Sequence, residues 1–234
     1  MGGDVLRWSE YRSMPWKNGG GMTREVASGA VQAPLASADS SADSSAEPAP
    51  GFDWRVSVAD VDAGGSFSSF PGIDRVITLV EGEGMVLTVD GTPHPVGPLS
   101  PFAFSGDAAT DCRLEAGAVR DMNVMTRRGR AKAEVRMVTV AAAQGAELAC
   151  AAGETLLVMA LTEGIAVGGA AGPGGGSGGS GGPDGPGGGS GGSGGPGGPE
   201  TALGRLDCVR HEGPGALTLW GDGTVAGIRI TAAR

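Results

Sequence analysis

The chain is a succession of short β-branched or alternating apolar runs, each closed by Gly, Asp or Pro. WRVSVADV (54–61), RVITLVEG (75–82), GMVLTVDG (84–91), EVRMVTV (134–140), TLLVMALT (155–162) and AGIRITA (226–232) are the clearest. No long segment carries the 3.6-residue apolar period of an amphipathic helix. Sheets of many short strands bury an apolar face only by packing on a second sheet or curling closed, so the expected fold is an all-β barrel or jelly roll. EGEG (81–84) and VDGTP (89–93) read as hairpin turns. AEVRMVTVAAAQGAELA (133–149) is the one segment with room for a short helix.

Two segments stand apart. Residues 33–50 are Ala, Ser, Asp, Glu and Pro with a single Leu, and residues 168–200 are nearly pure Gly, Ser and Pro. Neither has the apolar surface to offset the entropy of ordering it. Both read as long loops inserted between strands, the second as a flexible tether. A weak internal repeat spans the remainder. TLVEGEGMVL (78–87) resembles MALTEGIAV (159–167), and FSGD (104–107) resembles LWGD (219–222). The spacing of Gly82 and Gly106 matches that of Gly164 and Gly221 once the tether is removed. A duplicated β-barrel follows, one copy over residues 1–133 and the other over 134–234.

Charge narrows the partners. The net charge is -9, and RRGRAK (127–132) is the one basic cluster. An acidic chain repels phosphate backbones, so nucleic acid is not an expected partner, and the cluster reads as a solvated loop. Three widely spaced cysteines, Cys112, Cys150 and Cys208, with no C-x-x-C, fit reduced buried thiols rather than a disulfide framework or a zinc site. The N-terminus lacks the apolar core of a signal peptide and no run is long enough to span a bilayer as a helix, so a cytoplasmic location without membrane contact is expected. A homodimer is left open.

The run PWKNGGGMTREV (15–26) matches neither a P-loop nor a dinucleotide fingerprint, because Arg24 stands where a last Gly is needed and a strand-like segment follows. Its glycines suit a tight bend that brings Lys17 and Asn18 to a pocket. Alternation extends the picture. Thr23 and Glu25 share one strand face, Arg55, Ser57 and Ala59 another, and Asp121, Asn123 and Met125 a third. Three polar faces suit a half-wet barrel lumen. Arg75 shares a face with Ile77 and Leu79, which puts a guanidinium at the mouth of an apolar cavity, where it suits a carboxylate.

Catalytic signatures are sparse. The two histidines, His94 and His211, sit in turn-like contexts that read as surface positions, and the His/Glu cluster of a metal-binding cupin is missing. No G-x-S-x-G occurs and no Cys–His pairing presents itself. Glu25, Asp107 and Asp121 are the groups able to act as acid or base if the fold buries them together.

MPWKNGGGMTREV, FDWRVSVADVDAGGSFSSFPGIDRVITLVEGEG, FAFSGD and VRDMNVMTRRG, in that order, resemble the HutD/Ves family of bacterial bicupins. The resemblance covers most of residues 8–130 and, more weakly, 134–234. It implies two cupin-like jelly-roll barrels and a connection with histidine utilisation, through binding of a metabolite such as urocanate or a formylated derivative. It implies no established reaction and no cofactor. The pocket it implies is lined by Trp16, Lys17, Asn18, Thr23 and Glu25 from the glycine motif, and by Arg55 and Ser57 from the next strand. Phe67, Ser68 and Arg75 follow from the serine turn and its strand, and Asp107, Asp121 and Asn123 complete the set. Lys17 and an arginine are expected to neutralise a small anionic metabolite, with Trp16 as a flat wall. The leading expectation is a metabolite-binding protein. The alternatives are a metal-free isomerase or hydrolase acting on a small carboxylate, and an interaction module with a vestigial pocket.

Overall fold

A computed structural model describes residues 3–16, 19–31, 51–169 and 200–233. The chain opens with β1 (Asp4–Leu6), a 3-10 turn at Trp8–Glu10, β2 (Arg12–Pro15) and β3 (Gly21–Gly29). β4 (Trp54–Val61), β5 (Gly65–Ser66), β6 (Ile73–Glu81), β7 (Met85–Val89), β8 (Thr92–Val96), β9 (Phe102–Ser105), β10 (Thr110–Leu114) and β11 (Val119–Arg127) build a first jelly roll. β12 (Ala131–Val140), β13 (Ala146–Cys150), β14 (Thr155–Ala160), β15 (Ile165–Gly169), β16 (Thr201–Leu203), β17 (Cys208–Glu212), β18 (Gly215–Gly221) and β19 (Gly223–Ala232) build a second.

The duplication is visible in the strand order. The first jelly roll pairs β4-β11-β6-β9 in one sheet and β5-β10-β7-β8 in the other; the second repeats this as β12-β19-β14-β17 and β13-β18-β15-β16. β2 and β3 extend the first roll beyond β4, whereas β1 extends the second beyond β17, with Asp4 opposite Arg210 and Leu6 opposite Cys208. The strand pairing therefore does not divide between residues 133 and 134. The opening strand joins the second roll, and the second roll itself begins at Ala131.

Gly82 (φ 97°) and Gly164 (φ 81°) occupy equivalent corners, where the chain leaves β6 for β7 and β14 for β15. Positive φ is the reason both corners carry Gly. The second half of the sequence repeat is not an equivalence: Gly106 follows β9, whereas Gly221 closes β18, the counterpart of β10. EGEG is not a hairpin either, because β6 and β7 lie in different sheets and the segment carries the chain from one to the other. VDGTP is one: Val89 pairs with Thr92 across Asp90 (φ 48°) and Gly91 (φ 81°), the two left-handed positions of a type I′ turn. The expected short helix is absent. Ala131–Val140 is a strand paired along its length with Gly223–Ala232, and β13 follows; long-range pairing of its β-branched residues outweighs the local helix preference of its alanines.

Three apolar layers separate four sheets. Ile77, Leu79, Met85, Leu87 and Val119 fill the floor of the first roll, and Val140, Leu156, Val158, Leu217 and Val225 fill the second. The middle layer lies between the rolls, where Trp54, Val56, Val58, Met122 and Val124 meet Leu157, Met159, Ala226 and Ile228. Each Val, Leu, Ile or Met among them contributes about 1.5–3 kcal/mol by leaving water. The sheet containing β4, β11 and β6 is thus buried on both faces. Its apolar alternates face the other barrel, and this frees Arg55, Ser57, Ala59, Asp121 and Asn123 to face the lumen.

Residues 33–50 and 170–199 lie outside the described residues. Gly168 and Gly169, expected in the second loop, are the last residues of β15. Both segments depart from hairpin ends. Asp53 donates its backbone N–H to Gly29 O at 2.8 Å and its carboxylate accepts from Val31 N at 3.1 Å, while Val167 pairs with Thr201. Cys112, Cys150 and Cys208 are free and buried. No helix among the described residues is long and apolar enough to cross a membrane.

Candidate binding cavity in the first barrel

Strand register sets three rows across the lumen face of the first roll. Ser28, Arg55, Met125, Arg75 and Phe104 stand side by side in the outermost row. Glu25, Ser57, Asn123, Ile77 and Phe102 form the next, and Thr23, Ala59, Asp121 and Leu79 the third. A bulge between Glu25 and Ala27 turns Val26 into the middle core and keeps Glu25 and Ser28 on the same side. Above the apolar floor these rows enclose a cavity of about 560 Å³, a volume suited to a small metabolite.

The glycine run is the β2–β3 hairpin. Trp16 N donates to Gly21 O at 3.0 Å, Gly19 N donates to Trp16 O at 3.1 Å, and Gly19 has φ 71°. A Cβ on Gly21 would lie 2.2 Å from Asp60 O and 3.1 Å from the Trp16 ring, so only glycine lets the indole fold back there. Trp16 lines the cavity, and its Nε1 donates to Thr23 Oγ1 at 2.7 Å. Lys17 and Asn18 lie outside the described residues.

Arg75 dominates the cavity. It is 5% exposed, and its guanidinium carbon stands 5.3, 5.3 and 4.9 Å from the ring centroids of Phe67, Phe70 and Phe104. Its Nε has no hydrogen-bond partner. Burial pushes its pKa down to about 10, against the pull of Asp121 and with the help of Arg55. Asp121 is 1% exposed with Oδ1 unpartnered, and burial raises its carboxyl to about 7; Arg75 opposes the shift and Asp60 adds to it. Asn123 Oδ1 is likewise buried and unpartnered. Arg55 is already engaged: its Nε donates to Glu25 Oε2 at 2.8 Å, and Ser28 Oγ donates to the other carboxylate oxygen at 3.3 Å. Buried polar atoms without partners are costly, so three around one cavity mark a surface shaped to meet something.

The structure thus gathers Trp16, Thr23, Arg55, Ser57, Phe67, Ser68, Arg75, Asp121 and Asn123 around one cavity. Glu25 stands behind Arg55 rather than in the lining. Asp107 is elsewhere. It sits after β9 on the surface, accepting from Gly72 N at 2.9 Å, Ser105 Oγ at 2.8 Å and Arg128 Nη2 at 2.9 Å. The Gly72 bond, then Ser105 and Arg128, hold its carboxyl down at about 2, so it braces a loop and is no acid–base partner of Asp121. Met125, already placed on the Asp121–Asn123 face, also lines the cavity, as do Met14, Pro15, Ala59, Ser66 and Phe70, while Phe104 joins from β9 by standing over the Arg75 guanidinium. Phe102 and Phe104 alternate along one strand, which was the available signal for Phe104.

Other expectations change. His94 lies in a strand, half-buried, with its ring tilted 37° against Phe102 at a centroid distance of 5.0 Å, and His211 is 8% exposed within β17. RRGRAK joins the two rolls and is bound by acids: Arg128 to Asp74 and Asp107, Arg130 to Asp53. Among the described residues no group of three or more His, Cys, Asp and Glu is placed to hold a metal ion.

The family model described as HutD matches residues 8–226. The chain is 43% identical over 122 residues to an uncharacterized 21.2 kDa protein in the hutC 3′ region of Pseudomonas putida, a match covering 52% of this chain and 56% of that one. It is 39% identical over 137 residues to Protein Ves of Citrobacter koseri, covering 56% and 63% respectively. The matched stretch is less than two thirds of either relative's length. The solved structure of HutD from Pseudomonas fluorescens SBW25, in a formate condition, superposes with a TM-score of 0.68 at 30% identity over 99% of both chains. A cupin 2 conserved barrel domain protein from Leptotrichia buccalis shares the fold alone, with a TM-score of 0.50 at 6% identity. Some cupins hold a metal in the barrel. Here two arginines, one amide, hydroxyls and aromatic rings surround a single carboxyl, Asp121, and one carboxyl beside two guanidiniums does not make a cation site.

Proposed function

The chain belongs to the HutD family, and from that premise we propose that it is a binding protein for a small carboxylate, received in the first barrel and linked to histidine utilisation. One observation carries the proposal: a buried guanidinium, Arg75, boxed by three phenylalanine rings with Nε unpartnered. A carboxylate is the anion whose planar, two-oxygen geometry matches a guanidinium, and desolvation strengthens that pairing. The aromatic box and Trp16 favour a flat or compact molecule, and Asn123 supplies an amide for its polar end. Urocanate and the formylated derivatives of the pathway have this chemistry. The names of the relatives, HutD and a protein of the hutC region, support placing it there. The role is to sense or buffer the metabolite.

A second reading, a metal-free isomerase or hydrolase, is favoured by Asp121, a carboxyl in the cavity that titrates near neutral pH.

A thermal-shift titration against histidine, urocanate, formiminoglutamate, formylglutamate and formate separates these. Binding raises the melting temperature by mass action. A saturable shift with one carboxylate, lost in Arg75→Met, supports the site. Turnover of that compound, lost in Asp121→Asn, favours the enzyme. No shift with any carboxylate overturns the proposal.

A further inference from the structure

The charges inside the cavity do not balance for an anionic ligand as they stand. Arg55 is neutralised by Glu25 through the 2.8 Å bond from its Nε. Arg75 and Asp121 are then the two remaining charged groups of the described lining. With Asp121 ionised, the pair sums to zero, and an arriving carboxylate becomes an uncompensated negative charge in a desolvated space. With Asp121 protonated, Arg75 is a free cation and Asp121 a neutral hydroxyl donor beside it.

The other groups that face Asp121 cannot take its place. Asp60, on the reverse face of β4, is held by Arg24 and by Arg120 Nε at 2.5 Å, and its charge works against a second anion nearby. Cys112 faces Asp121 from the opposite sheet; burial, with Asp121 adding, pushes its thiol up to about 11, so it stays neutral. Leu79 and Ala59, its cross-strand neighbours, carry no charge.

We propose that the first barrel binds its monocarboxylate together with one proton, which resides on Asp121. The proposal rests on the carboxylate reading above and adds a regulatory property to it: the site is filled in neutral or mildly acid conditions and empties as the medium becomes alkaline. The proton moves from solvent to Asp121 Oδ, no bond in the ligand changes, and the complex carries no net charge beyond that of the free protonated site plus the anion. The free carboxyl titrates in the range where this matters.

The test uses the full chain with formate and benzoate, whose own carboxyl groups stay ionised from pH 6 to 9. Calorimetric titration at pH 8 in HEPES and in Tris, buffers of different ionisation enthalpy, reads proton uptake directly. The expected result is close to one proton taken up per ligand bound at pH 8, almost none at pH 6, and a Kd that rises about tenfold per pH unit above pH 7. Asp121→Asn, neutral and of the same shape, is expected to bind at pH 6 within about fivefold of wild type, with a Kd flat in pH and no uptake. Binding by the wild type with no uptake and no pH dependence overturns the proposal while leaving the carboxylate reading intact. A pH dependence that survives in Asp121→Asn overturns it as well. Absence of binding by either probe at pH 6 removes the carboxylate reading, and the proposal with it.

Discussion

Arg75 Nε and Asp121 Oδ1 are buried in the same cavity, and neither finds a hydrogen-bond partner in the protein. They sit on adjacent strands, β6 and β11, with Arg75 opposite Met125 and Asp121 opposite Leu79. The fold keeps two oppositely charged groups close enough to influence one another while one buried atom of each stays unpartnered, a costly arrangement that persists where a ligand completes it.

Arg75→Met is expected to separate stability from function. Removing a buried cation with an unpartnered nitrogen relieves a desolvation cost, while the thioether keeps contact with the three rings. The unfolding free energy is expected to hold or rise by about 1–2 kcal/mol, while carboxylate affinity falls at least ~100-fold. Chemical denaturation and calorimetry on one preparation check both. A variant destabilised by several kcal/mol contradicts this account.

Stability against pH has a predictable shape. Asp121 has its carboxyl raised in the folded state to about 7, so between pH 4 and 7 the folded chain holds a proton that the unfolded chain has lost. Stability contributed by this group is full below about pH 4 and declines as pH rises through 7, by a few kcal/mol at most. Asp53, Asp60 and Asp207 act in the other direction. Burial works against their ionisation, but bonds from Arg130, from Arg24 and Arg120, and from Trp8 N and Arg7 outweigh it and hold them low. Their contribution is present above about pH 4 and lost only as acid approaches their folded values. Melting temperatures at pH 5 and pH 8 are therefore expected to fall for wild type and to stay level for Asp121→Asn.

The glycine corners should rank by geometry. Gly164 has positive φ, and an added Cβ meets only Asp222 O at 4.0 Å. Gly82 has positive φ, and an added Cβ lies 2.8 Å from Val119 Cγ1 and 3.1 Å from Ala118 O. Gly221 at φ 113° would drive a Cβ to 1.9 Å from Gly164 O. Alanine substitutions are expected to cost about 1 kcal/mol at Gly164, more at Gly82, and most at Gly221. Denaturant midpoints in any other order refute the ranking.

The two rolls are expected to unfold as one. Trp54 is 1% exposed in the layer between them, beside Leu157 and Met159 of the second roll. Trp54→Ala is expected to cost about 3–5 kcal/mol. It should lower a single transition seen alike by tryptophan fluorescence and far-UV dichroism. Two separated transitions in the wild type contradict this coupling.

The strand at Trp54–Val61 was legible to the residue, because eight alternating residues between Asp53 and Asp62 leave one solution. The polar and apolar faces were legible too. Their sense was harder: alternation alone cannot tell a lumen from solvent, and what decides it is that Val56 and Val58 are claimed by the second barrel. Phe104 was not legible as part of the Arg75 box, since only the pairing of β6 with β9 places it opposite Arg75. Asp107 misled because a short acidic turn beside Ser105 looks the same whether it serves a ligand or braces a loop. The EGEG segment misled because the same residues that turn a hairpin also turn a chain from one sheet to its opposite.

The placement of β1 bears on how the molecule is made. Asp4–Leu6 pairs with Cys208–Arg210, and Arg7 reaches Asp207 across a separation of 200 residues. At a synthesis rate of about 5–20 residues per second, this segment leaves the ribosome some ~10–40 s before its partner strand exists. The first barrel can close while it waits. The edge of β17 stays open until Asp4–Leu6 returns to cover it, so a strand made long before its partner is among the last to settle.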